Sequence, residues 1–168
     1  DKGAFVAGHS LGEYSALTAA RALTIADAAR LLKRRGEAMQ RAVPVGKGAM
    51  AALLALDLPA ALELAAEASQ GEICACANDN APGQVVVSGD KAAVERAVAL
   101  SKAKGAKRAI MLPVSAPFHC ALMQPAAEVM ARELERTTMA PPTVPLVANV
   151  TARAVSNPAT IRELLVRQ

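Results

Sequence analysis

Ser10 stands at the centre of Gly8-His9-Ser10-Leu11-Gly12, with the apolar run Ala4-Phe5-Val6-Ala7 before it and Glu13-Tyr14-Ser15-Ala16-Leu17 after it. The pattern describes a strand, a tight turn and the first turns of a helix, with the serine at the apex. A turn this sharp leaves no room for side chains beside the serine, which accounts for the two flanking glycines. It pushes the Ser10 hydroxyl into the open. It also sets the backbone N–H of Leu11 at a helix N-terminus, where it would meet an oxyanion on a bound carbonyl. A serine nucleophile beside an oxyanion donor is acyl-transfer chemistry. An ordinary surface turn also satisfies G-x-S-x-G, and the strand before and helix after are the context that favours the nucleophile.

A serine nucleophile needs a base, and the chain holds two histidines. His9 adjoins Ser10, but neighbouring side chains diverge at a sharp turn, so packing or hydrogen bonding behind the turn is its expected role. His119, in Ser115-Ala116-Pro117-Phe118-His119, falls in a loop where catalytic side chains collect, and elimination favours it as the base. No Asp or Glu stands out in a suitable loop after residue 120, which leaves a backbone carbonyl to orient the imidazole. Arg35 asks for a separate explanation. The stretch from Thr24 carries an apolar stripe at Ile25, Ala28, Leu32 and Met39, and Arg35 falls on it while Lys33, Arg34 and Arg41 fall off it. An inward arginine must be paired. The pattern leaves two partners open: an Asp or Glu of the protein, or a substrate carboxylate gripped in a two-pronged geometry. Gly36 beside it would ease close approach.

The elements that position these residues follow from the patterning. Residues 1–45 read as strand, turn and helix, then a second helix with Thr24 as N-cap and Asp27 in its first turn, running to about residue 42 before Pro44. After the Gly46-Lys47-Gly48 break come strand 49–56, helix 60–69, strand 72–77, strand 84–88, helix 91–104 and strand 107–112. Asn78-Asp79-Asn80-Ala81-Pro82-Gly83 links the two central strands. This βαββαβ order is the split, ferredoxin-like arrangement, inserted into a larger α/β domain that resumes near Pro113. A helix over 123–136, a strand over 144–150 and a closing helix over 158–167 complete the chain.

Composition narrows the classes. Of the 168 residues 53% are hydrophobic, with one Tyr, two Phe and no Trp, which suits a helix-rich α/β core and argues against disorder. The net charge of +4 is scattered and aromatics for base stacking are nearly absent, so nucleic acid is not an expected partner. A modest basic excess suits an acidic protein or a phosphorylated substrate. Three cysteines without C-x-x-C spacing point to a reducing compartment, hence the cytoplasm, and Cys120 with His119 is too small a set for a metal. Asp57, Pro59 and Glu63 interrupt the longest apolar run, so no membrane span is expected. Asn149-Val150-Thr151 matches a glycosylation acceptor, taken as coincidence. A start at Asp1 with the nucleophile within ten residues suggests a piece of a longer polypeptide.

Taken together, the motifs resemble the malonyl-coenzyme A:acyl carrier protein transacylases of fatty acid synthesis. The matching stretches are Gly8-His9-Ser10-Leu11-Gly12-Glu13-Tyr14-Ser15-Ala16-Leu17, Arg35-Gly36-Glu37-Ala38-Met39-Gln40, Gly48-Ala49-Met50-Ala51-Ala52, Asn80-Ala81-Pro82-Gly83-Gln84-Val85-Val86-Val87-Ser88-Gly89, Pro113-Val114-Ser115-Ala116-Pro117-Phe118-His119-Cys120-Ala121-Leu122-Met123 and Leu165-Val166-Arg167-Gln168. The resemblance implies an α/β-hydrolase-like core over 1–45 and 114–168 with a ferredoxin-like subdomain over 46–113. It implies Ser10 as acylated nucleophile, His119 as its partner and Arg35 as the clamp on the malonyl carboxylate. The backbone carbonyl of Gln168 would orient His119, and the Leu11 amide would form half of the oxyanion hole. Lys107 and Arg108 would contact an acidic acyl carrier protein. The implied substrates are malonyl-CoA and the carrier's phosphopantetheine thiol, with no cofactor, no metal and a cytoplasmic monomer. The family's glycine- and glutamine-rich N-terminal motif and glycine-rich C-terminal segment are absent. An acyltransferase domain of a polyketide synthase and a serine thioesterase or esterase are the rival readings.

Overall fold

Between Gly48 and Met111 short β-prone runs alternate with alanine-rich amphipathic stretches, and each forms the element its period calls for. The computed structural model describes residues 3–168 and divides into two units. One takes the chain up to Ala38 and resumes at Ala126, and the other is Met39–Pro125.

The second unit holds β1 (Gly48–Leu54), α3 (Leu58–Ser69), β2 (Cys74–Ala81), β3 (Gln84–Asp90), α4 (Lys91–Ser101) and β4 (Arg108–Met111). Its four strands lie in the order β2-β3-β1-β4, every neighbouring pair antiparallel. Alternate residues of the central strands, Ala51 and Leu53 with Val85 and Val87, pack with Leu64 of α3 and Val94 of α4 in one apolar cluster. The stretch read as a six-residue link is mostly strand. Residues 78–81 continue β2, with register shifts between Cys76 and Asn78 and between Asp79 and Ala81, and the turn shrinks to Pro82-Gly83. Bulges let Asn and Asp, poor strand formers, stay beside the partner strand. Cys74 is buried, and burial pushes its thiol up to about 11, so it packs as a small apolar group. All three cysteines are free thiols.

The first unit begins with a single parallel bridge, Val6 to Leu146, where a full strand is expected from residues 4–7. Its partner β5 (Leu146–Ala148) is too short to offer more than one rung, and Val6 N–H donates to Pro145 O while Val6 O accepts from Val147 N–H. The run read as a strand over 144–150 gives up its last two residues to a turn. The chain then folds back as β6 (Arg153–Val155), antiparallel to β5, a strand the sequence reading did not contain. Helices α1 (Gly12–Ala19), α5 (Gln124–Glu135) and α6 (Pro158–Arg167) contribute Tyr14, Leu17, Leu134 and Ile161 to one core with Leu146. Asn157 caps α6, its Oδ1 accepting from the N–H groups of Ala159 and Thr160, and Pro158 occupies the first helical position.

Helix α2 (Ile25–Ala42) starts at Thr24, whose Oγ1 accepts from Asp27 N–H at 3.0 Å and donates to Asp27 Oδ2 at 2.7 Å. This reciprocal cap fixes where the helix begins. Its buried face is Ala28, Leu31, Arg35 and Ala38; of the stripe drawn through Ile25, Ala28, Leu32 and Met39, Ala28 is buried and Leu32 and Met39 are half-buried against the cores, while Ile25 is exposed. Ile25 is 78% exposed because it sits in the first turn, before the helix reaches the core. No helix among the described residues is long and apolar enough to cross a membrane.

Candidate active site

The turn at Ser10 is left-handed. Ser10 has φ 52°, a conformation that costs a non-glycine residue roughly 1–3 kcal/mol and persists only where the surroundings enforce it. Asn149, immediately after β5, supplies the enforcement. Its Oδ1 accepts from Ser10 N–H at 2.7 Å and its Nδ2 donates to Gly8 O at 2.7 Å, so one side chain spans the turn. Gly8 has no alternative here, since a Cβ would run into the carbonyl of Gly12 and the backbone nitrogen of Glu13. Gly12 differs: a Cβ there meets nothing within 4 Å, so the expectation of crowding holds for one glycine of the pair only. Leu11 is the N-cap of α1 and is 57% exposed, and its N–H makes no hydrogen bond among the described residues. That is the disposition an oxyanion donor requires. His9 is exposed, and its carbonyl accepts from Gly12 N–H at 2.9 Å.

Arg35 lies on the buried face of α2 and is 8% exposed. Its Nη2 donates to Ser10 Oγ at 3.0 Å and to Gln168 Oε1 at 2.8 Å, and its guanidinium carbon stands 5.9 Å from the centre of the Tyr14 ring. Within the protein the guanidinium is held by a hydroxyl and an amide oxygen, which leaves the substrate carboxylate open as its charged partner. Among the described residues no carboxylate is within ion-pair distance of Arg35. The nearest negative charge reaches it through Gln168, whose Nε2 donates to Glu13 Oε2. Glu13 is 1% exposed, and its Oε1 accepts from Asn149 N–H at 3.3 Å. Burial raises the Glu13 carboxyl above its ordinary value, opposed by the hydrogen bonds from Asn149 and Gln168 and by the charge of Arg35. Burial likewise lowers Arg35 from its ordinary value, while Tyr14 and Glu13 hold it up. Gly36 faces open space, so it serves no close approach.

Ser10, Arg35, Gln168, Glu13 and Asn149 therefore form a closed ring of hydrogen bonds. Three of the five, Ser10, Arg35 and Gln168, are candidate site residues from the sequence alone. Glu13 carries no local signal beyond that of an acid in the first turn of α1, where the helix dipole welcomes one. Asn149 was absorbed by a glycosylation triplet, although a polar residue just past a strand end is where sites are built. Gln168 is expected to act through its backbone carbonyl; what the structure shows is its side chain in the ring.

The sequence profile of the acyl transferase domain family matches residues 2–167. The chain belongs to that family. It is 54% identical over 165 residues to the malonyl CoA-acyl carrier protein transacylase of Escherichia coli strain K12, an alignment covering 98% of this chain and 53% of the relative. The crystal structure of the acyl-carrier-protein-S-malonyltransferase from Bartonella henselae superposes with a TM-score of 0.95 at 54% identity, over 99% of this chain and 53% of that one. A type II polyketide synthase acyl-carrier protein in complex with its malonyl-transacylase gives 0.96 at 47% identity, over 99% and 54%. The chain spans about half the length of the curated relatives it matches.

The other expected residues lie in the second unit. His119 follows Pro117 and Phe118 and has a left-handed backbone, φ 58°. Gly48, at the start of β1, makes room for the Pro117 ring, since a Cβ at Gly48 would overlap it. Lys107 and Arg108 are exposed at the start of the edge strand β4, with Lys107 N–H donating to Leu54 O. Among the described residues there is no cluster of three metal-ligating side chains.

Proposed function

We propose that the protein carries malonyl from malonyl-CoA to the phosphopantetheine thiol of an acyl carrier protein, through a malonyl ester of Ser10. The observation that carries this reading is the buried Arg35 guanidinium at 3.0 Å from Ser10 Oγ. A malonyl group on Oγ places its free carboxylate carbon three bonds out, within the span of a cation already touching that oxygen. An arginine offers that carboxylate two parallel N–H donors. An acetyl group would leave it without its charged partner, and uncompensated buried charge is heavily disfavoured.

In this reading Ser10 Oγ attacks the thioester carbonyl while His119 takes its proton. The Leu11 N–H stabilises the tetrahedral oxyanion, and CoA departs as a thiol with the proton returned by His119. The carrier's thiol then attacks malonyl-Ser10 by the reverse sequence. The Gln168 carbonyl orients His119, and no metal or cofactor takes part. Exposed Lys107 and Arg108 suit an acidic carrier protein. The fold reading that accompanies this is an α/β-hydrolase-like core over 1–45 and 114–168 and a ferredoxin-like subdomain over 46–113, which the β2-β3-β1-β4 order supports. The setting is a cytoplasmic monomer. The relative solved with a polyketide carrier protein favours, as a second setting for the same chemistry, polyketide rather than fatty acid synthesis.

The test is intact mass and peptide mapping of the full-length protein after incubation with malonyl-CoA alone, with acetyl-CoA and an Arg35→Ala variant in parallel. The expected result is a malonyl adduct on Ser10 that Arg35→Ala loses. Steady release of free CoA with no adduct would make water the acceptor and the protein a thioesterase or esterase.

A further inference from the structure

We infer that Glu13 and Asn149 are positioning residues with separable tasks: Asn149 sets the nucleophile, and Glu13, acting through Gln168, sets the guanidinium. The inference deepens the proposed function and rests on it for the identity of the acyl group.

The two residues grip different parts of the ring. Asn149 binds the backbone on both sides of the left-handed turn, Ser10 N–H at one end and Gly8 O at the other. Those two bonds fix the direction in which Oγ leaves the backbone, and they hold whatever acyl group arrives. Glu13 meets Ser10 through the backbone, its N–H donating to Ser10 O at 3.1 Å, while its carboxylate is turned to other partners. It accepts from Gln168 Nε2, which turns Gln168 Oε1 toward Arg35 Nη2, 2.8 Å away. An amide has one donor end and one acceptor end; Nε2 donates to the Glu13 carboxylate and, in a longer contact of 3.4 Å, to Asn149 Oδ1, so the carboxylate is the stronger acceptor setting which end faces the arginine. Were the amide reversed, its NH2 would face a guanidinium, two donors against each other. Glu13 thus keeps Arg35 in place beside Ser10 Oγ through Gln168, and an acyl group with a free carboxylate is the one that draws on that placement. Its other oxygen, accepting from Asn149 N–H, ties the two halves together.

A common structural role would damage reactions with every acyl group alike, so the experiment reads two activities on each variant. Full-length wild type, Asn149→Ala and Glu13→Gln are compared in acyl-Ser10 formation from malonyl-CoA and acetyl-CoA, and in labelling of Ser10 by a small fluorophosphonate, which needs the nucleophile but no carboxylate. Asn149→Ala should slow labelling and both acylations together by about tenfold or more, with the malonyl-to-acetyl ratio unchanged. Glu13→Gln should lower the malonyl-to-acetyl ratio about tenfold and slow labelling clearly less than Asn149→Ala does. Asn149→Asp, which keeps the acceptor for Ser10 N–H and loses the donor to Gly8 O, reads the same nucleophile effect should Asn149→Ala not fold. Equal losses across all three reactions in both variants, or no loss in either, would overturn the inference. Wild type labelled by fluorophosphonate but not acylated by malonyl-CoA would instead refute the proposed function, leaving Asn149 to be judged by labelling alone.

Discussion

The two glycines of Gly8-His9-Ser10-Leu11-Gly12 should respond to alanine with opposite signs. At Gly8 an added Cβ would sit 2.7 Å from Glu13 N, with the carbonyl carbon and oxygen of Gly12 nearer still. Carbon contacts are comfortable from about 3.5 Å, so even the mildest of these overlaps by about 0.8 Å. All three obstacles are backbone atoms in the first turn of α1, and none can swing aside as a side chain would. Overpacking in a closed core typically costs about 1–3 kcal/mol, and here relief requires opening the turn that Asn149 spans, so the upper end or more is expected. Gly12 meets nothing within 4 Å at the first position of α1. Alanine there should gain about 0.5–1 kcal/mol from lower unfolded-state freedom and better helix propensity. Urea unfolding of the two full-length variants, with fluorophosphonate labelling of Ser10, checks both halves. Gly8→Ala should lose stability and labelling together, while Gly12→Ala should unfold at a slightly higher urea concentration. A Gly8→Ala protein with wild-type stability and labelling would refute the steric reasoning, as would Gly12→Ala destabilising the fold as much as Gly8→Ala.

Gly48→Ala should press on the Pro117 ring, whose Cβ would lie 2.7 Å from the new carbon with other ring atoms closer, and so displace the loop leading to His119. Acylation should slow markedly, and adding Pro117→Ala should restore part of the rate, read from CoA release in the single and double variants. Tyr14 is wholly buried with no hydrogen-bond partner for its hydroxyl among the described residues, and burial pushes its phenol up to about 12. Tyr14→Phe should therefore be neutral or stabilising by about 1 kcal/mol with the malonyl preference intact, whereas Tyr14→Leu, losing the ring beside Arg35, should weaken that preference. Both are read by urea unfolding and by competing malonyl- and acetyl-CoA. For Glu13 the sign is set by burial, which raises its carboxyl from 4.5 in the folded protein. The folded state then holds the proton more tightly than the unfolded one, so this group favours folding below pH 4.5 and that contribution is lost as pH rises through its raised value. The unfolding free energy of wild type minus that of Glu13→Gln should fall with rising pH across that window. A difference that rises instead would contradict it.

Much of this protein was readable one residue at a time. The turn at Ser10, the inward face of α2 at Arg35, the cap at Thr24 and the alternation of strands and helices from Gly48 to Met111 are local. Each is signalled by the room a missing Cβ leaves at Gly8, by a 3.6- or 2-residue period, or by a side chain bonding backbone three residues on. Those forces act within a few residues, so the order of residue types carries them. What the sequence could not carry is pairing across distance. Val6 keeps one rung of a strand because β5, some 140 residues away, is three residues long. Residues 78–81 stay in β2 because bulges against β3 take up the misfit. Ile25 has the hydrophobicity of a core residue and lies in solvent, because which turn of α2 reaches the core depends on the elements packed there. The polar ring is the strongest case. Glu13 and Asn149 are common residues in unremarkable local settings, separated by 136 positions. Nothing near either one specifies the other, and only the folded chain brings a carboxylate, two amides, a guanidinium and a serine into one circuit.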